Sequence, residues 1–191
     1  MRIGILGGAF DPIHVGHLAL AEAVVQTLKL NRLYFVPSFV SPLAAKEKCN
    51  APASLRLEMV RVATCGDKRF YVSDIEIKRK GMSYTIDTIR EFRKEFPPPH
   101  ELFFVAGADW AKSLESWKDA DAIFSLCQFT VATRPGYQEL DLPKRVKPLR
   151  FQALDISSTQ IRQMIREGKH VDAWMPKPVL KMIERKHLYQ P

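Results

Sequence analysis

Residues 4–23 read GILGGAFDPIHVGHLALAEA: an apolar run, two glycines, an acidic turn with a proline, two histidines three apart, then a helical pattern. The β run from Arg2 to Leu6 is ended by Gly7-Gly8. Ala21, Val24, Val25 and Leu28 recur at helical spacing, which predicts a first helix from His17 to about Lys29. In an open parallel sheet, ligands sit beyond the carboxyl ends of the strands, and Gly7-Gly8 lies at such an end. Without side chains, backbone N–H groups approach a phosphate closely, and the following helix N-terminus favours negative charge. His14 and His17, at i and i+3, share one face of the first turn and can donate to the same phosphate oxygens. A lone Gly-Gly would be an ordinary tight turn and the histidines ordinary caps. The whole set GGxFDPxHxGH serves one anion site. It is not the dinucleotide fingerprint, because GxGxxG is absent.

Outward from this stretch, strands alternate with helices. RLYFVPSF (32–39) reads as a buried strand and 41–52 as a loop. Leu55, Met59, Val62 and Ala63 mark a second helix that Gly66 stops. FYVSDIEI (70–77) alternates like a strand, and Ser83 is placed to cap a helix carrying Ile86, Ile89, Phe92 and Phe96, ended by three prolines. ELFFVAGAD (101–109), FTVATRPG (129–136) and LRFQAL (149–154) read as further strands. Two helices close the chain, one with Ile161, Met164 and Ile165, the other with Val179, Met182 and Ile183. The alternation predicts an α/β fold: a doubly wound, mostly parallel Rossmann-like sheet with helices on both faces and a short helical C-terminal part. One domain over 1–191 is expected, with the core over about 1–155 and the closing helices over about 156–191.

Cys49, Cys65 and Cys127 make an odd count with no CxxC pair, so neither a disulfide framework nor a zinc site is expected, and a cytoplasmic location is. Met1-Arg2 leads directly into a strand, and no apolar run is long enough to span a bilayer, so neither a leader nor a membrane partner is expected. The net charge of +8 invites an anionic partner. Its basic residues are scattered, apart from short runs such as Lys78-Arg79-Lys80, which favours phosphorylated small molecules over nucleic acid.

A second motif, ISSTQIR (156–162), places Ser157, Ser158 and Thr159 at an N-cap and first turn, with Arg162 on the face of Ser158. Hydroxyls, N–H groups and a guanidinium at one place suit a triphosphate. Taken alone, it is better read as an ordinary capped helix with a solvated arginine.

His14-x-Gly16-His17 resembles the H/T-x-G-H signature of the nucleotidyltransferase superfamily, and ISSTxIR about 140 residues later is similar to that superfamily's second motif. GMSYTIDTI (81–89), GADWAKSLESWKD (107–119), TRPGY (133–137) and WMPKPVLKMIERKHLY (174–189) follow in order. Together they resemble the bacterial nicotinate-nucleotide adenylyltransferases, with patterns SYTxDT, GxDxxxxLxxW, RPG and LPxxVxxYIxxxxLY. The resemblance covers almost the entire chain.

The resemblance implies adenylyl transfer from ATP, accompanied by Mg²⁺, to nicotinate mononucleotide. It implies His14, His17 and Arg162 as the catalytic donors. ATP would meet Gly7, Gly8, Ala9, Phe10, Gly16, Gly107, Asp109, Ser157, Ser158 and Thr159. Trp117 would stack on the pyridine ring, with Thr85 and Lys118 at its carboxylate and Arg134 and Lys46 on the mononucleotide side. Asp11 is expected to serve the loop's geometry rather than the ligand. No carboxylate cluster marks a protein-only metal cage.

The chain also departs from the family pattern. Ala9 stands where a Ser or Thr is usual, and Ser41-Pro42-Leu43-Ala44 replaces PPHK, with Lys46 two positions late. Trp174 and Met182 replace tyrosines. A phosphopantetheine or nicotinamide mononucleotide acceptor, or a non-catalytic nucleotide- or RNA-binding module, are the alternative readings.

Overall fold

A computed structural model describes residues 1–42, 49–107, 114, 116–133 and 142–190. Its centre is a six-stranded parallel sheet in the order β3-β2-β1-β4-β5-β6. The strands are β1 (Arg2–Gly8), β2 (Arg32–Pro37), β3 (Phe70–Val72), β4 (Glu101–Gly107), β5 (Gln128–Thr133) and β6 (Val146–Arg150). The helices are α1 (Val15–Thr27), α2 (Ala53–Thr64), α3 (Ile75–Arg79), α4 (Thr85–Glu95), α5 (Ala120–Leu126), α6 (Ser158–Arg166) and α7 (Lys177–Arg185). The chain therefore winds outward from β1 in one direction through β2 and β3, then crosses back to wind the other way. β1 and β4 meet at the switch point, where a crevice opens at the strands' carboxyl ends.

Successive strand residues point to opposite faces, and both faces are covered. Leu6, Leu33, Phe35, Phe103, Val105 and Leu149 pack with Val24 and Val25 of α1, Met59 and Val60 of α2, Ile161 of α6 and Val179 and Ile183 of α7. Ile3, Ile5, Val36, Phe104, Phe129 and Val131 pack with Ile86, Ile89 and Phe92 of α4 and Ile123 of α5. The closing helices thus share the core of the first face. The three cysteines are free, and burial pushes the Cys127 thiol up to about 12. Among the described residues, no helix is long and apolar enough to cross a membrane.

Four local expectations change. FYVSDIEI pairs with β2 for three residues only, after which Ile75–Arg79 turns into a helix. Ser73 N–H still donates to Phe35 O at 2.9 Å, and the turn follows at once, with Ser73 Oγ accepting from Ile75 N. The apolar alternation then becomes a turn that buries Glu76. Ser83 does not cap α4. Tyr84 holds the cap position without a side-chain bond, and Ser83 Oγ instead accepts from Phe39 N at 2.9 Å, tying α4 to the end of β2. The last strand spans 146–150 rather than 149–154. Pro148 hides it from a propensity reading, yet an edge strand tolerates proline because one side of its backbone needs no partner. Finally, α1 starts at Val15, with His14 as its cap.

Candidate active site

The site is assembled around the end of β1. A Cβ on Gly7 would stand 3.3 Å from the Phe104 ring, and one on Gly8 3.1 Å from the Phe10 ring. Close ring packing thus holds this backbone bare. Phe10 turns the chain through a left-handed conformation (φ 49°) and buries its own ring against Phe35 and His17. Its side chain is committed to the core, which leaves only its backbone for a ligand.

The two histidines cap α1 reciprocally. His14 Nδ1 accepts from Gly16 N at 3.1 Å, and His17 Nδ1 accepts from His14 N at 3.2 Å. These bonds satisfy two of the helix's orphan donors. They also fix the tautomers: with both Nδ1 atoms accepting, each neutral ring carries its proton on Nε2. The ring centroids are 3.9 Å apart. Burial of the ring, and secondly the neighbouring His14, hold His17 well below the usual histidine range.

The start of α6 docks onto the same loop across the length of the chain. Ser158 Oγ donates to Pro12 O at 2.9 Å, and Arg162 Nη1 donates to Asp11 O at 2.7 Å. Ser157 caps α6 through Gln160 N, and Thr159 Oγ1 accepts from Arg162 Nη2 at 3.2 Å. The three hydroxyls expected at a phosphate are thus each engaged with protein groups. Arg162 Nε is enclosed without a protein acceptor.

Beside this turn, a cavity of about 210 Å³ opens at the switch point. Gly7, Gly8 and Ala9 form one side and Phe104, Val105 and Ala106 the adjoining strand. Ser83, Tyr84 and Thr85 bring the first turn of α4 to it, and Ser116, Trp117 and Lys118 face them. Trp117 meets the Phe129 and Phe104 rings edge-on, at 5.7 and 6.5 Å between centroids. Lys118 Nζ reaches Asp87 Oδ2 at 3.3 Å and lies 4.6 Å from the centre of the Tyr84 ring.

The structure thus brings Gly7, Gly8 and Ala9, expected at ATP, and Thr85, Trp117 and Lys118, expected at the mononucleotide, together on one cavity. It gathers His14, Gly16, His17, Ser158 and Arg162 at the adjoining turn. Gly107 ends β4 beside Ala132 and is not among the residues lining the cavity. Asp109, Arg134 and Lys46 lie outside the described residues.

Three further residues have roles that the sequence reading does not assign. Arg56 is 1 % exposed and donates to Ala51 O, to Ala9 O at 2.5 Å and to Ser38 O at 2.7 Å, bracing the glycine turn from below. Its signal is an arginine in register with Met59 and Val60 on the buried stripe of α2. Glu76 lines the cavity, receives the Thr88 hydroxyl at 2.6 Å, and has its carboxyl pushed above the usual range by burial. Tyr189 donates to Asp11 Oδ1 at 2.8 Å, a partnership no local spacing signals. Among the described residues, no group of three or more His, Cys, Asp and Glu side chains is placed to hold a metal ion. Asp11 itself is closed off by Asn50 N, Ala51 N and Tyr189.

Residues 5–164 match the cytidylyltransferase-like family. The chain is 42 % identical over 190 residues to a probable nicotinate-nucleotide adenylyltransferase of Thermus thermophilus, covering 100 % of both chains. It is 40 % identical over 201 residues to the probable nicotinate-nucleotide adenylyltransferase of Moorella thermoacetica, covering 100 % of this chain and 92 % of that one. The fold matches the nicotinic acid mononucleotide adenylyltransferase of Plasmodium falciparum complexed with NaAD. The TM-score is 0.80 at 18 % identity, with 98 % and 97 % of the two chains covered.

Proposed function

The chain belongs to the cytidylyltransferase-like family, and within it to the nicotinate-nucleotide adenylyltransferases, and from that premise we propose how its site works. It transfers the adenylyl group of ATP to nicotinate mononucleotide, giving nicotinate adenine dinucleotide and pyrophosphate. The observation that carries the mechanism is the histidine pair, whose Nδ1 atoms are both held by backbone N–H groups. This makes Nε2–H the donor of each ring.

No protein nucleophile is required. An oxygen of the mononucleotide phosphate attacks the α-phosphorus of ATP as the bond to pyrophosphate breaks, so alignment and charge stabilisation are the enzyme's tasks. His14, His17 and Arg162 donate to the phosphate oxygens, on which negative charge is redistributed as the bonds exchange. The bare backbone of Gly7, Gly8 and Ala9, the backbone of Phe10 and Gly16, and the turn at Ser157, Ser158 and Thr159 hold the triphosphate. Gly107 and Asp109 are proposed for its ribose. Mg²⁺ enters with ATP as part of the substrate.

The mononucleotide takes the cavity, with its pyridine ring against Trp117. The first turn of α4, which lacks a side-chain cap, presents the positive end of the helix beside Thr85. That end, with Lys118 opposite, suits the nicotinate carboxylate. Lys46 and Arg134 are proposed for the mononucleotide phosphate. The free, unpaired cysteines support a reducing, cytoplasmic setting, and no nucleic-acid or membrane partner is proposed.

The test is pyrophosphate release with ATP and, in parallel, nicotinate mononucleotide, nicotinamide mononucleotide and phosphopantetheine. Release that is fastest with nicotinate mononucleotide is the expected result. Phosphopantetheine as the best acceptor would overturn the acceptor assignment. Retention of RNA with no release would point to a binding module, and such retention would weaken steeply with salt.

A further inference from the structure

We infer that Tyr189, at the far end of the chain, is a positioning residue for the phosphate end of the site, acting through Asp11 on Arg162. The inference rests on the adenylyl-transfer reading above. Asp11 is 3 % exposed and adjoins the turn between β1 and α1. Its Oδ2 accepts from Asn50 N at 2.7 Å, and its Oδ1 accepts from Ala51 N at 3.0 Å and from the Tyr189 hydroxyl at 2.8 Å. Its backbone carbonyl accepts from Arg162 Nη1, which also lies 3.9 Å from Oδ2. One residue therefore carries both the tail's hydroxyl and the guanidinium.

A buried carboxylate is tolerated only where donors replace its lost hydration. Removing one donor moves the others to compensate, and among the described residues the cation paired with this carboxylate is Arg162. The connection is short: Tyr189 Oη to Oδ1, through the Asp11 side chain and backbone, to Arg162 Nη1.

The tail is built to bring the ring there. His187 and Tyr189 both adopt left-handed backbone (φ 50° and 63°), and the Tyr189 ring joins the core that holds Ile161, one residue before Arg162. A second tie runs parallel, from Arg166 Nη2 to Asn50 Oδ1 at 2.6 Å. Burial and the adjacent carboxylate push the phenol well above the usual tyrosine range, so it stays a donor throughout the working pH range.

Tyr189→Phe keeps the packed ring and removes only the hydroxyl. Pyrophosphate release is measured in the wild type, Tyr189→Phe, Arg162→Lys and the double variant, well below the melting temperature of each. Tyr189→Phe is expected to lower kcat about tenfold with KM for ATP within about twofold. In the Arg162→Lys background the same change is expected to cost less than about twofold, because the group it positions is already gone. Unchanged kcat, or effects that multiply in the double variant, overturns the inference.

An arm independent of activity reads the enclosed Arg162 Nε–H by NMR. Its exchange with water is expected to quicken at least about tenfold in Tyr189→Phe, and unchanged exchange overturns the inference. A wild type that releases no pyrophosphate with any acceptor refutes the adenylyl-transfer reading instead, and the exchange arm still decides the coupling.

Discussion

The His14 imidazole folds so closely over Gly16 that a Cβ there would stand 2.9 Å from Cε1 and 3.0 Å from Nδ1. The glycine of the HxGH motif is therefore explained by the ring beside it, which needs the Gly16 N–H at 3.1 Å. Gly16→Ala is expected to rotate His14 off its cap. The lost cap costs about 1 kcal/mol, and alanine's better helix propensity offsets up to about 1 kcal/mol of that. Thermal stability should therefore change little, while kcat falls roughly tenfold or more because a donor has moved. A large stability loss with normal kcat would contradict this account.

His17 supplies a pH signature. Its folded-state affinity for a proton is depressed below the ordinary value of 6.5, so on acidification the unfolded chain binds a proton before the folded one does. Stability from this group is complete above that value and is lost as pH falls toward the folded value, by at most about 1.4 kcal/mol per pH unit for one proton. Melting temperatures of the wild type and His17→Gln, followed from pH 8 to 5, should converge as the pH falls. Parallel curves would show that His17 binds its proton equally in both states.

Arg56 holds carbonyl groups of three separate segments, at Ala9, at Ser38 and Phe39, and at Ala51. Arg56→Met fills similar volume but leaves those acceptors unpaired, at about 1–3 kcal/mol each where water cannot reach them. Release of the guanidinium's own burial cost offsets part of this. A net loss of roughly 3–5 kcal/mol is expected, lowering Tm by roughly 10 °C. Thermal unfolding of the variant checks it.

In the proposed reading, acceptor choice depends on the α4 turn. A carboxamide would set an NH₂ against N–H donors there, leaving buried donors unpaired at about 1–3 kcal/mol each. Nicotinate mononucleotide should exceed nicotinamide mononucleotide by roughly tenfold to a hundredfold in kcat/KM. Trp117→Ala should weaken both to the same degree, since stacking ignores the substituent. Equal efficiency with the two substrates would refute the carboxylate pocket and leave adenylyl transfer standing.

Much of this protein was legible because its signals are local. The apolar run into Gly7-Gly8 and the recurrence of Ala21, Val24 and Val25 depend on neighbours within one or two turns. So does the Ser157 cap of α6. The errors fell where a distant partner outweighed the local pattern. Glu76 accepts from Thr88 on α4 within a helix, where the alternation of 70–77 would have continued a strand. Ser83 bonds across to Phe39 rather than capping the helix beside it. Pro148 sits in a strand because that strand is an edge.

The sequence by itself determined the alternation of strand and helix, the glycine turn and its two imidazoles, and through its ordered motifs the family. Only the tertiary structure decided which side chains support them. Arg162 and Asp11 lie 151 positions apart, and Tyr189 and Asp11 lie 178 apart. Backbone dihedrals and i to i+4 contacts are written into short stretches of residues. The partner of a buried carboxylate is chosen by which segments the packed core delivers to it, and only the complete fold brings these together.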